Sequence, residues 1–264
     1  MKKDFTHFLW LLKLGALVNL YFLVDSFSAT GDSDAQIVAA GQILFAVSAF
    51  RCIFPNRYKD NVVFHDSPLS SIFLTRLLAT VTEVSFIYLF SRVIRLLNID
   101  DVAWIDALSW LMVLQVVVSQ GFVWAAILTK RLVLYFYEEL GWAVIFAANT
   151  IASVFLLASV DSFENGRSLL VLNLLFGLVY LPWQFIHLRA LRLDAAATDT
   201  VAGALEPVTM SLAAAGLRES IRVRNPKTDA DAWGGVVGLT WMVGYWATLI
   251  PLWVHHVVGQ FSTH

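Results

Sequence analysis

The chain has 264 residues, of which 58% are hydrophobic and only 14% are charged. So few charges cannot cover the surface of a soluble protein this apolar, whereas runs of about 20 apolar residues can cross a hydrocarbon core roughly 30 Å thick. The formal net charge of −2 indicates no nucleic-acid partner. The composition therefore predicts a multi-pass, all-α membrane protein whose partners are membrane lipids.

Charges and turn residues divide this sequence into seven predicted spans, which we place in one domain covering residues 1–264. The first apolar run is similar to a signal peptide, but Lys13 and Asn19 interrupt it, so we expect a retained span. We expect "LVLYFYEE" to be an interfacial lead-in to the fifth span, and Pro182 to kink the sixth. The predicted spans are Phe8–Val24, Ala35–Phe54, Pro68–Ser91, Ala107–Thr129, Leu140–Val160, Ser168–Leu188 and Trp233–Val254.

The positive residues between these spans are unevenly distributed. Thirteen of the 18 lysines and arginines fall on the side that holds the N-terminus, whereas Arg92, Arg95 and Arg167 fall on the opposite side. Because cytoplasmic loops are enriched in Lys and Arg, this distribution predicts a cytoplasmic N-terminus and a C-terminus outside. We expect the host membrane to be a bacterial inner membrane or an equivalent one.

The long connection between the sixth and seventh spans, residues 189–232, is then cytoplasmic. Within it, Leu205, Val208, Leu212 and Ala215 form an apolar stripe at helical spacing that ends in basic residues. This pattern is typical of a short helix lying on the inner leaflet. A cap packed over the helix bundle fits the same pattern equally well.

Three charged residues lie well inside the predicted spans: Lys13, Arg76 and Glu83. A charge at a helix centre costs about 2.5 kcal/mol or more on insertion scales, so these groups should face protein or water. Lys13 can extend its ammonium group to the nearby interface, which favours a structural role. Arg76 and Glu83 share one helix face, about 10.5 Å apart at their Cα atoms. Because helical side chains lean toward the helix N-terminus, we expect no ideal ion pair and a water or neighbouring group between them. Without a cationic partner, burial would favour the neutral acid at Glu83.

The sequence "HDSP" precedes the third span. Ser67 directly before Pro68 is typical of a helix N-cap, and Asp66 adds a negative charge near the positive end of that helix. Adjacent side chains diverge, so these residues cannot form a catalytic triad by themselves. His65 is not explained by capping and becomes a candidate proton-transfer group, although the histidine spacing matches no metal-binding pattern.

A polar pocket open to the cytoplasm is the predicted functional site. In it, titratable groups would exchange protons, and an arginine would hold an acidic head group near the aromatic and amide groups that follow Pro182. The alternative is that these polar groups only form hydrogen bonds between packed helices. The predicted catalytic residues are Glu83, His65, Glu138 and His187, and the predicted substrate-binding residues are Arg76, Trp183 and Gln184.

Three functions remain open from the sequence. The first is a membrane-embedded enzyme acting on a lipid-like or isoprenoid substrate, and the second is a proton-coupled small-molecule transporter that cycles Glu83 between protonation states. The third is a non-catalytic membrane subunit or sensor, and an oligomer is compatible with each. No metal ligand set or cofactor is identified, and retinal is excluded because the seventh span contains no lysine for a Schiff base.

Overall fold

The computed structural model describes residues 4–28, 34–159, 164–199 and 208–261. Among these residues, seven helical segments are long and apolar enough to span a membrane, which confirms the all-α, seven-span prediction. The single domain, the cytoplasmic N-terminus and the bacterial membrane stay predictions. The first six spans are α1 (Thr6–Ser26), α2 (Ala35–Ile53), α3 (Ile72–Leu97), α4 (Ala103–Thr129), α5 (Val133–Ser159) and α6 (Glu164–Asp199). A shorter helix, α7 (Met210–Arg222), precedes the seventh span, which consists of α8 (Gly235–Trp241), a π-helical segment (Met242–Ala247) and α9 (Leu249–Gln260).

The chain forms two compact units, which are described separately. The first unit combines residues 1–86 with 217–264, and the second contains residues 87–216. The first unit therefore contains α1, α2, the first half of α3 and the whole seventh span. The second unit contains α4, α5 and α6, which pack in sequence order as long antiparallel neighbours.

Three predicted boundaries differ from the structure. The lead-in "LVLYFYEE" is mostly part of α5, which begins at Val133, because its aromatic and apolar residues continue the helix. The sixth span extends beyond its predicted end at Leu188, since α6 continues as a helix to Asp199 with Pro182 inside it. Ser67 does not cap α3: its Oγ accepts a hydrogen bond from the backbone N–H of Leu69 at 3.3 Å and caps a short 3₁₀ turn instead.

The seventh span is interrupted at Thr248, whose φ of −136° and ψ of −83° are not helical. Pro251 explains the position of this break, since its ring clashes with the carbonyl four residues earlier, that of Ala247, and it has no N–H to donate. The break is stabilised from α1. Asn19 is fully buried, and its Nδ2 donates to the carbonyl of Trp246 at 2.9 Å. The polar residue that interrupts the first apolar run thus provides a hydrogen bond to the broken helix.

A small three-stranded sheet ties the connection after α7 to the connection between α2 and α3. Strand β1 (Asn56–Arg57) pairs antiparallel with β2 (Val62–Val63), which pairs parallel with β3 (Asn225–Pro226). The Arg57 Nη1 donates to the carbonyl of Ala232 at 2.9 Å. Gly234 follows with a φ of +80°, which an L side chain rarely adopts, so the seventh span begins at Gly235 rather than at the predicted Trp233.

A helix is present in the connection where the sequence predicts one, but a different apolar stripe is exposed. Leu205 lies outside the described residues, and Val208 precedes the helix. Exposed apolar side chains instead recur at Met210, Leu217 and Ile221, which lie on one face of α7. The exposed residues Arg218 and Arg222 flank that face. Its position on the inner leaflet stays a prediction.

Candidate functional site

The two charged groups on α3 form a buried ion pair. The Arg76 Nη2 lies 2.6 Å from the Glu83 Oε2, and the Arg76 Nη1 lies 3.3 Å from the Glu83 Oε1. Their side chains are only 2% and 8% exposed. The expectation that these groups lie too far apart for an ion pair, with a gap between them, is therefore wrong.

The geometry of Arg76 shows why that expectation failed. Its Nε donates to the Thr80 Oγ1 at 3.3 Å, so the side chain extends toward the C-terminal end of α3 rather than toward the N-terminal end. The Thr80 hydroxyl, one turn further along α3, thus accepts a hydrogen bond from the side chain that reaches the Glu83 carboxylate. Both charged groups are buried, and a mutual bidentate contact offsets part of their desolvation cost. The carboxylate thus occupies the fork that we expected an anionic head group to occupy.

A second buried arginine, Arg51, lies in the last turn of α2 and is 8% exposed. Its Nη1 donates to the Asn56 Oδ1 at 3.0 Å and to the Tyr58 hydroxyl at 3.4 Å. Its guanidinium also lies 4.9 Å from the centroid of the Trp246 ring. This site was not predicted from the sequence, because an arginine at the end of a span counts only toward the orientation of the protein.

Asn56 connects this arginine to the start of α3. Its Nδ2 donates to the carbonyl of Ser70 at 3.0 Å and to the Thr75 Oγ1 at 2.6 Å. The Tyr58 ring lies 5.5 Å from the Arg51 guanidinium and 5.7 Å from that of Arg76. The two buried guanidinium groups therefore share one aromatic ring, but within the described ranges only Arg76 has a carboxylate bound to it.

A narrow crevice lies beside Arg51. It encloses about 200 Å³ of empty space, part of which is open to solvent, and it is too narrow for a water-sized sphere. Its walls are mainly apolar, with one guanidinium, one thiol and one amide. The residues that line it are Leu12, Arg51, Cys52, Pro55, Asn56, Met242 and Trp246.

His65 lies beside Lys13 in the same unit. The Lys13 Nζ is 2.9 Å from the His65 Nε2 and 3.4 Å from the carbonyl of Ile53. An ammonium group can only donate, so the His65 Nε2 is the acceptor and the ring is neutral in this contact. Partial burial and, second, the Lys13 charge lower the pKa of His65 below its ordinary value of 6.5. Both effects hold the ring in its neutral form, with its Nε2 lone pair facing Lys13.

The remaining predicted site residues belong to the second unit. The Gln184 side chain is fully buried, and its Nε2 donates to the backbone carbonyl and to the Oε2 of Glu139, both at 2.8 Å. The His187 Nε2 lies 3.8 Å from the Glu139 Oε1, and the Trp183 ring stacks on the His187 ring at 5.1 Å. Glu138 is buried, at 8% exposure. The carboxylate that these α6 side chains meet is thus Glu139, the neighbour of the one predicted.

The structure brings together two groups of site residues, one in each unit. Arg76 meets Glu83 in the first unit, whereas His65 meets Lys13. In the second unit, Trp183, Gln184 and His187 gather around Glu139. The single pocket predicted to contain both groups stays a prediction.

Comparison with protein-family models, with curated proteins and with solved structures finds no match to this chain. Within the described part of the chain, no group of three or more His, Cys, Asp or Glu side chains is placed to hold a metal ion.

Proposed function

We propose that this integral membrane protein is a membrane-embedded enzyme that acts on a lipid-like substrate from the side that its positive charges mark as cytoplasmic. The observation that supports this function is the buried Arg76–Glu83 pair on a helix long enough to span a membrane. A charge at the centre of a membrane helix costs about 2.5–3.5 kcal/mol on insertion scales. Well-packed apolar residues often replace a buried ion pair without loss of stability, so packing alone gives little reason for this one.

The pair provides a simple route from substrate binding to proton transfer. An acidic group on the substrate can take the place of the Glu83 carboxylate on the Arg76 guanidinium. A guanidinium binds two oxygen atoms of a planar carboxylate or of a tetrahedral phosphate equally well in geometry. Glu83 is then released from its cationic partner and is available as a proton acceptor. It accepts a proton from the bound substrate, which leaves the corresponding negative charge on the substrate.

The second group of residues fits a separate proton-exchanging role. A histidine ring can take up and release a proton, and a neighbouring carboxylate fixes the orientation of the ring. We assign this role to His187 beside Glu139, with Gln184 holding the carboxylate and Trp183 holding the ring by stacking. Glu138 and His65 are the other proton acceptors in this proposal.

The experiment compares membranes from cells that produce the wild-type protein, the Glu83→Gln variant or no protein. We expect untargeted mass spectrometry of lipid extracts to show one lipid class altered by the wild-type protein but not by Glu83→Gln, because an amide accepts no proton. Asp25→Asn is the matched control, since this half-exposed carboxylate pairs with His255 away from α3. It should behave like the wild-type protein.

Loss of activity in Glu83→Gln supports the proposal only if this variant folds. The double variant Arg76→Met/Glu83→Leu therefore serves as a second test. It removes both charges and leaves no unpaired guanidinium, and it should fold yet alter no lipid. An unchanged lipid profile in wild-type cells, or full activity in either variant, would contradict the enzymatic proposal. If either variant has full activity but lower thermal stability, the Arg76–Glu83 pair only stabilises helix packing, as in a membrane subunit or sensor.

A proton-coupled transporter is the second candidate, and the broken seventh span favours it. Discontinuous spans in transporters bind substrates or ions where the backbone leaves the helix, and π-helical segments often mark functional sites. Here the π-helical segment ends at the non-helical Thr248. Proteoliposomes containing a pH-sensitive dye should then show substrate-dependent proton uptake that Glu83→Gln abolishes, whereas an enzyme would alter lipid without proton flux.

A further inference from the structure

Arg51 differs from most buried arginines because its hydrogen-bond partners are neutral. Among the described residues, its side chain donates only to the Asn56 Oδ1 and the Tyr58 hydroxyl, both from Nη1. It also contacts the faces of two aromatic rings, those of Tyr58 and Trp246. No carboxylate of the described chain forms an ion pair with it, although more than nine-tenths of the residue is buried.

The partners of Arg51 compensate its charge only in part. Amide and hydroxyl oxygens are weaker acceptors for a guanidinium than a carboxylate is, because only the carboxylate carries the opposite charge. The C-terminal end of α2 and the two rings add favourable but modest electrostatic interactions. Nη2 and Nε, which carry three of the five N–H groups of a guanidinium, donate to no described side chain or carbonyl. A buried guanidinium with these partners is positioned to bind an anion.

The crevice beside Arg51 is the space that such an anion would occupy. Apolar walls formed by Leu12, Pro55 and Met242 lie next to the guanidinium and the Asn56 amide. In its present form the crevice is narrow, so binding requires one wall to move. Met242 is suited to this, since its unbranched side chain has several rotamers and it lies half-buried at the start of the π-helical segment.

We propose that Arg51 and the crevice beside it form an anion-binding site for an oxyanion of the phosphate type. The bidentate geometry of a guanidinium matches two phosphate oxygens, and the apolar walls suit the glycerol or alkyl part next to such a group. The anion can be a lipid head group from the membrane or a free phosphate ester. This site does not depend on the enzymatic function proposed above, because the Arg76–Glu83 pair remains intact when it is filled.

The first test measures thermal unfolding of the purified full-length protein in nanodiscs. Discs of phosphatidylcholine alone are compared with discs that also contain phosphatidic acid, and with phosphatidylcholine discs in the presence of inorganic phosphate. A ligand that binds only the folded protein raises the unfolding temperature. We expect phosphatidic acid, phosphate or both to raise it, and the pattern identifies the source of the anion.

Two variants and one control assign this effect to Arg51. In Arg51→Gln the anion-dependent shift should disappear, since loss of a buried charged donor weakens binding roughly thirtyfold or more. Arg51→Lys should keep part of the shift, because it retains the charge but not the fork. Arg218→Gln removes an equal charge from an exposed position on α7 and should leave the shift unchanged.

A measurement on the wild-type protein covers the case in which Arg51→Gln does not fold. Cys52 is the single cysteine of the chain, lines the crevice and is 1% exposed. Its rate of modification by a small neutral thiol reagent reports opening of this crevice. We expect the anion that raises the unfolding temperature to slow the modification, whereas phosphatidylcholine should not.

The outcomes separate this site from the enzymatic proposal. The anion site is overturned if neither anion stabilises the wild-type protein, if Arg51→Gln shows the full shift, or if Cys52 reacts equally fast in all conditions. A Glu83→Gln variant that alters the same lipid class as the wild-type protein would contradict the enzymatic proposal alone, because that experiment does not involve Arg51.

Discussion

The two buried arginines of the first unit both lie close to the Tyr58 ring centroid, at 5.5 Å for Arg51 and 5.7 Å for Arg76, but they have different partners. Arg76 is paired with Glu83 through two contacts, whereas Arg51 has an amide, a hydroxyl and two rings. Among the described residues, the Arg76 charge is therefore compensated by a carboxylate, and the Arg51 charge is not. In our two proposals, an anion must displace Glu83 to reach Arg76, whereas an anion reaches Arg51 when one wall of the crevice moves.

The largest expected effect is on stability when one partner of the paired site is removed. Glu83→Gln leaves the Arg76 guanidinium buried without its carboxylate, which costs about 3–5 kcal/mol of unfolding free energy. Unfolding in nanodiscs or mixed micelles measures it, with the double variant Arg76→Met/Glu83→Leu as the control that removes both charges. A loss below about 1 kcal/mol in Glu83→Gln would show that the guanidinium does not depend on this carboxylate.

The next largest expected effect is a loss of stability when α1 can no longer pack closely against the broken seventh span, which contains Trp246. A Cβ added at Gly15 would lie 2.5 Å from the Ala247 Cβ and 2.9 Å from its Cα, and backbone cannot move aside easily. Gly15→Ala should therefore destabilise the protein by about 1–3 kcal/mol.

Gly121→Ala is the matched control for this helix substitution. A Cβ at Gly121 meets nothing within 4 Å, so the substitution should be neutral or stabilise α4 by up to about 1 kcal/mol. Equal unfolding temperatures for the two alanine variants would mean that α1 does not approach the broken span this closely.

A smaller effect is expected at the unpaired arginine in the absence of added anion. Arg51→Met removes a buried charge that has no carboxylate partner, at the cost of hydrogen bonds to Asn56 and Tyr58. We expect the unfolding free energy to change by about 1 kcal/mol, clearly less than in Arg76→Met, which leaves Glu83 buried and unpaired. Unfolding of both variants under one condition gives the comparison, and equal losses would remove the distinction between the sites.

The smallest effect is a pH dependence at His65. Its pKa in the folded protein lies below the ordinary 6.5, chiefly because it is partly buried and also because Lys13 is charged. As the pH falls below 6.5 toward that lowered value, the unfolded chain binds a proton that the folded chain does not, so stability decreases.

His65→Gln removes this titration and keeps a side chain that can accept a hydrogen bond from Lys13. We expect the variant to lose less stability than the wild-type protein between neutral pH and the mildly acidic range below 6.5. Thermal unfolding across that range measures the difference. Parallel curves for the two proteins would show that Lys13 and burial do not affect protonation of this ring.

Apolar run length and charge placement were enough to predict the seven spans, because the thickness of a bilayer restricts both. The contacts of the polar side chains were harder to predict. The usual lean of helical side chains argued against an Arg76–Glu83 contact, and the contribution of Thr80 is visible only in three dimensions. Asn19 was identified only as an interruption, since its partner at Trp246 lies 227 residues away in the chain. Arg51 was missed because its environment comes from segments far apart in sequence.

The most direct test of the difference between the two arginines is a double-mutant cycle on Arg76 and Glu83. The free energies of unfolding of Arg76→Met, Glu83→Leu and the double variant are measured in one lipid composition. We expect a coupling energy of about 1–3 kcal/mol, with the double variant more stable than the sum of the single losses implies. Losses that add to within about 0.5 kcal/mol would contradict a paired Arg76, and with it the distinction from Arg51.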